Sequence, residues 1–168
     1  HRSINVCLNF SYEQLSEEAK CLFMRLSVFA ESAGDDLIKQ VCDVANWTTA
    51  AAELVSASLL RKEGVRFRFH TLVHQYAEAR LKASGEEDKY RRKAAGTLHA
   101  MAVYANSTLT GEDVLKGLAI LDAETGNVLA VADWAQEHEE WERMMGIVDS
   151  LYSYLDLRGR WNECRALL

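Results

Sequence analysis

Proline is absent from all 168 residues, where ordinary usage would supply about eight. Nothing therefore forces a helix to break, and connections must turn on glycine or short polar residues. With abundant Ala, Leu and Glu, the chain is expected to be mainly α-helical with tight connections. Long apolar runs are missing too: none approaches the ~18 residues of a membrane span. The first residues lack the basic, apolar and small-residue order of a secretory leader. The four cysteines, Cys7, Cys21, Cys42 and Cys164, have no paired spacing of the metal or redox kind. Cys21 and Cys42 fall within apolar helical patterns, where free thiols are commonly buried. A reduced, cytoplasmic setting is the expectation.

Positive charge is also scarce. Residues 1–85 carry ten basic and ten acidic side chains, and residues 86–168 carry nine and fifteen, giving a formal net charge of -6. Neither half has the basic excess of a nucleic-acid binder. Catalytic patterns are lacking as well. No Gly-rich phosphate loop with a Lys-Ser or Lys-Thr pair occurs, nor a nucleophile-elbow glycine pattern. Glu86-Glu87-Asp88 and Glu139-Glu140 read as helix-start acids or solvated charge. His70 and His74 stand four apart, but two ligands do not make a structural zinc site. No enzyme activity and no metal are expected within these residues.

What is present is helical periodicity interrupted once. Ser11-Tyr12-Glu13-Gln14 fits a capping box, with Ser16 as a second possible cap, ahead of Leu15, Ala19, Leu22, Leu26 and Phe29 at helical spacing. Gly34-Asp35-Asp36 opens a second helix with the stripe Leu37, Val41, Val44. Thr48 or Thr49 can cap a third, with Ala51, Leu54 or Val55, and Ser58 on one face. Strict alternation follows at Val65, Phe67 and Phe69, between Arg66 and Arg68, the period of a half-buried strand. Gly64 supplies a turn and Leu59-Leu60 a partner strand. A fourth helix runs from about Thr71 to Ala83. Helices, a hairpin and a closing helix in this order describe a winged-helix domain over residues 1–84. A DNA reader of that kind presents Arg, Lys, Asn or Gln from its third helix. Here that helix, Thr49 to Ser58, carries no base and one acid, Glu53.

Residues 85–168 read as α-helical hairpins. One long helix carries Tyr90, Ala94, Leu98, Met101 and Ala105, with His99 half-buried beside the stripe and Asn106-Ser107-Thr108 at its end. A short segment to Leu118 leads into a helix containing Leu121, Val128, Ala132 and Ala135. A further stripe is Trp141, Met144, Val148, Leu151 and Leu155, stopped by Gly159, with a new helix near Trp161. Glu140-Trp141-Glu142-Arg143 and Arg160-Trp161-Asn162-Glu163 echo each other twenty residues apart, about half a repeat of the tetratricopeptide kind. Leu167 and Leu168 would need a capping neighbour, so a truncated array in a fragment of a longer protein is expected. Trp134, Tyr152, Tyr154 and Trp161 are expected in the core. An acidic balance favours a protein or peptide partner over nucleic acid or anionic membrane.

Three blocks carry a family likeness. Leu8 to Leu15 followed by Ala19 to Phe29 is similar to "SY-x-x-L … LF-x-x-LSVF". Leu54-Val55-Ser56-Ala57-Ser58-Leu59-Leu60 is similar to "L-x-x-x-SLL". Arg68-Phe69-His70-Thr71 lies where a Met-His-Asp motif would stand, with Phe69 for Met and Thr71 for Asp. Together these resemble the winged-helix module of the NB-ARC (STAND) signalling ATPases, which include apoptotic-protease activators, plant resistance proteins and bacterial regulators. Leu121 to Ala135 is similar to the "E-x-x-N-L-x-x-A-x-x-W-A" opening that follows the winged helix in bacterial members. The resemblance implies ADP or ATP held in a neighbouring nucleotide-binding domain and no cofactor in these residues. It also implies a protein or peptide inducer on the repeats, and His70 as the side chain approaching the ADP phosphates. The residues themselves leave two roles open for His70, a phosphate contact or packing at a strand-to-helix corner. The alternative function is a winged-helix DNA-binding regulator with a helical effector domain.

Overall fold

The computed structural model describes residues 2–111, 113–160 and 162, with side chains from residue 6 onward. It is mainly helical, 73% helix, with eight helices and one three-stranded antiparallel sheet among the described residues. Two compact units divide the chain, His1–Ala94 and Ala95–Leu168.

The first unit begins with α1 (Arg2–Glu13) and α2 (Glu17–Leu26). Ser11 to Glu13 form the last turn of α1, so the expected capping box is not one. Tyr12 holds that turn in the helix: its ring is buried against Phe23 at 5.6 Å and beneath the Arg80 guanidinium at 4.6 Å. Ser16 is the cap, accepting from the Ala19 amide at 3.2 Å. Strand β1 (Ser32–Gly34) leads directly into α3 (Asp35–Val41), which buries Leu37, Ile38 and Val41. Val44 lies beyond the end of α3, because the chain turns at Asp43 with φ 52°.

Helix α4 (Trp47–Ser56) starts earlier than expected. Its N-cap is Asn46, whose amide donates to Glu18 at 3.0 Å. Thr48 and Thr49 sit exposed in its first turn. Ser58 adopts a left-handed φ of 58°, and the amides of Leu59 and Leu60 both donate to the Leu54 carbonyl. Those two leucines therefore close the helix and enter the core, at 3% and 4% exposure. The partner strand is instead β2 (Arg61–Glu63), paired with β3 (Arg66–Arg68) across Gly64-Val65. Val65 caps the hairpin tip at 77% exposure, so only Phe67 and Phe69 of the alternating set turn inward. The sheet order is β1-β3-β2, with Ala33 and Lys62 flanking Phe67. Helix α5 (Thr71–Ser84) follows and ends on Gly85 at φ 76°.

Helix α6 (Glu87–Thr108) opens with Glu87 and Asp88, each paired to an arginine four residues on. Its first turns belong to the first unit and are fastened within it through Arg25. The Arg25 guanidinium donates to the Cys42 and Asp43 carbonyls at 3.0 and 3.1 Å and lies 4.5 Å from the Tyr90 ring.

In the second unit α7 (Val114–Glu137) is one continuous helix, with no separate segment before Leu118. Helix α8 (Trp141–Leu157) returns beside it after a three-residue turn. Tyr154 near the end of α8 donates to Asp122 near the start of α7 at 2.7 Å, which fixes the pair as antiparallel. The seam buries Leu121, Val128, Ala135, Ile147, Leu151 and Leu155. Tyr154 is core as expected, whereas Trp134 is half-buried and stacked on His138, and Tyr152 and Trp141 are half exposed. The turn is closed by Glu139 at φ 58°, and α8 ends on Gly159 at φ 67°. The helix expected near Trp161 and the terminal Leu167 and Leu168 lie outside the described residues.

Candidate functional site

The corner from β3 to α5 is built by a change of backbone geometry. Phe69 leaves the strand and His70, extended at φ -73° and ψ 145°, is the N-cap of α5. Imidazole is a poor cap, and the His70 side chain makes no capping hydrogen bond to α5. Thr71 is the first residue inside the helix. The His70 carbonyl accepts from the His74 amide at 2.9 Å, which closes the first turn of the helix.

The two histidines have separate fates. His70 is exposed, whereas His74 is half-buried. His74 Nε2 donates to the Phe29 carbonyl at 3.0 Å, and its Nδ1 lies 3.7 Å from Glu78. His74 thereby ties α5 to the segment after α2. The Phe69 ring fills the space between them, 5.3 Å from Phe23 and 5.8 Å from His74. The packing role at this corner thus belongs to Phe69 and His74, and His70 is left outside it. His74 gave no sequence signal beyond its spacing.

Beside the corner lies a cleft of about 270 Å3 lined by Ala30, Glu31, Arg68, Phe69, Thr71 and His74. Its positive contributions are Arg68 and the start of α5, and Glu31 is its carboxylate. Arg68 also lies 3.9 Å from Glu63 across the hairpin. Arg66, the other base of the alternating run, donates to the Ser32 hydroxyl and carbonyl at 2.7 and 2.8 Å. That side chain stitches β1 to β3, and its charge is directed along the sheet.

The third-helix surface offers no base. The exposed residues of α4 are Thr48, Thr49, Ala52, Val55 and Ser56. Its single acid, Glu53, is turned away to accept from the Ser16 amide and hydroxyl at 2.7 and 2.6 Å. Among the described residues no group of three or more His, Cys, Asp or Glu is placed to hold a metal ion. Cys42 is fully buried, and burial pushes its thiol up to about 12, which keeps it protonated and unreactive.

Compared with known protein families, curated proteins and solved structures, the chain matches none. Among the described residues no helix is long and apolar enough to cross a membrane.

Proposed function

We propose that this chain is a non-catalytic regulatory piece of a signalling ATPase of the NB-ARC kind. Residues 1–84 would be its winged-helix module and residues 85–168 the start of a tetratricopeptide-like sensor array. The order helix, strand, helix, helix, strand, strand from α2 to β3 supports the first assignment. The antiparallel α7–α8 pair supports the second. The observation that carries the functional reading is the exposed His70 imidazole, set at an uncapped helix start and not drawn into the core.

An imidazole and free backbone amides at one helix terminus suit a phosphate presented by a neighbouring domain. A charge-assisted hydrogen bond there contributes roughly 1.5–3 kcal/mol, enough to bias a two-state switch. The test is ADP retention in a protein that joins this chain to its nucleotide-binding domain. His70→Ala is expected to speed ADP release about tenfold or more, and unchanged retention would remove the phosphate role. His74→Ala serves as the contrast: it should lower stability without a specific effect on nucleotide.

The alternative, a DNA-binding regulator, has the basic hairpin in its favour. Arg61, Lys62 and Arg68 are exposed there. Against it stand the neutral outer face of α4 and the engagement of Arg66 with Ser32. Duplex binding that weakens steeply with salt would establish the alternative.

A further inference from the structure

Helix α8 presents an outer face of mixed character. Trp141, Met145 and Tyr152 remain 56%, 56% and 50% exposed. At 100° per residue they share one narrow strip of the helix. Beside that strip runs a second row, Glu142, Asp149 and Asp156, spaced by seven residues and exposed. None of the three carboxylates forms an ion pair among the described residues. The single base of α8, Arg143, is turned to Glu140 at 2.6 Å on another side.

We propose that this face docks a basic amphipathic helix of a partner protein, its apolar side on Trp141, Met145 and Tyr152 and its Lys or Arg row on the carboxylates. Charge selects this occupant. A second copy packed face to face would set acid row against acid row, and such like-charge juxtaposition disfavours self-association. An acidic or neutral helix could cover the apolar strip but would leave the carboxylates unpaired. The heptad spacing of the acids matches a helix carrying a cation every seventh residue. From residue 142 to 156 the row spans about 21 Å, so the partner segment needs about fourteen helical residues. The proposal names the partner class for the second unit read as a binding module, and it is independent of any nucleotide contact by His70.

The test uses the full chain and a labelled synthetic helical peptide with leucine on one side and lysine every seventh residue, followed by fluorescence anisotropy. The expected result is saturable, salt-sensitive binding, with a peptide carrying glutamate at the lysine positions binding about tenfold more weakly or worse. Asp149→Asn with Asp156→Asn should weaken the lysine peptide about fivefold. Met145→Ser with Tyr152→Ser should weaken both peptides, and far-ultraviolet circular dichroism checks that each variant is folded. Absence of binding, or equal affinity for the two peptides, overturns the proposal. So does sedimentation showing a dimer that Tyr152→Ser disperses, which would make a second copy the occupant. Resistance of Met145 to mild peroxide in the free chain would overturn it as well, by showing the face already covered from within.

Discussion

At the scale of single residues, side chains that look alike in sequence are separated by what they touch. Glu53 reads as a repulsive charge on the helix that faces DNA in a winged-helix reader. In the fold its carboxylate takes two hydrogen bonds from Ser16 and so completes the start of α2 from another helix. Glu53→Ala is expected to cost about 1–2 kcal/mol, comparable to loss of a helix cap, as measured by urea unfolding. A Glu53→Gln variant keeps the acceptor oxygen and should cost less.

His99 provides a second test at this scale. Burial, and then the Arg143 charge, hold its imidazole below the ordinary value of 6.5. The unfolded chain therefore takes up the proton first as pH falls. The contribution of the neutral ring is full above about pH 6.5 and is lost progressively below it. Stability followed by urea titration should drop on acidification below that point, and His99→Gln should flatten the drop. Asp122 adds a later step. The Tyr154 hydroxyl, then Arg158, hold its carboxyl below the usual 3.8, so its contribution is present above that value and fades only as pH falls further.

At the scale of elements, close approach sets the helix crossings. A Cβ on Gly117 would lie 2.6 Å from the Ala105 carbonyl oxygen and would also strike the Thr108 hydroxyl. Backbone cannot yield as a side-chain tip can. Gly117→Ala is expected to destabilise by about 1–3 kcal/mol despite the better helix propensity of alanine. Gly111→Ala, whose nearest neighbour would be 3.9 Å away, is the near-neutral comparison. Thermal unfolding of the two variants, side by side, checks this.

Legibility in the sequence also divides by element. Helix α5 is legible to within a residue of its observed ends because apolar spacing, the preceding strand and Gly85 agree there. Strand β1 gave no warning: Ser32-Ala33-Gly34 is too short to alternate, and it exists through pairing with β3. Leu59-Leu60 read as a strand by sequence because both are apolar and precede the Gly64 turn. They are buried as the closing turn of α4, a result of the left-handed Ser58 that no spacing rule exposes. At the site, the alternation located the corner, and the family resemblance alone singled out His70 within it. That His74 and Phe69 carry the packing there depended on Phe29 and Phe23, distant in sequence.

At the scale of the whole molecule, Arg25 shows how the start of α6 is built into the first unit. Its side chain is largely buried, bonds two carbonyls at the end of α3, and meets Glu86 at 3.4 Å and Tyr90. Arg25→Ala should remove these at once and leave the carbonyls poorly paired, a loss of about 2–4 kcal/mol by chemical denaturation. Hydrogen exchange should speed first at the start of α6 and the end of α3, with α7 and α8 little changed.

By itself the sequence determined the helical character, the place of the one hairpin and the lack of basic charge on α4, because these follow from local spacing and composition. Tertiary structure decided which polar side chains are spent on the fold. Glu53, Arg66 and His74 are committed to contacts far along the chain, and His70, Glu142, Asp149 and Asp156 lie exposed. Such commitments depend on which segments meet in space, and periodicity along one segment carries no record of its distant partners.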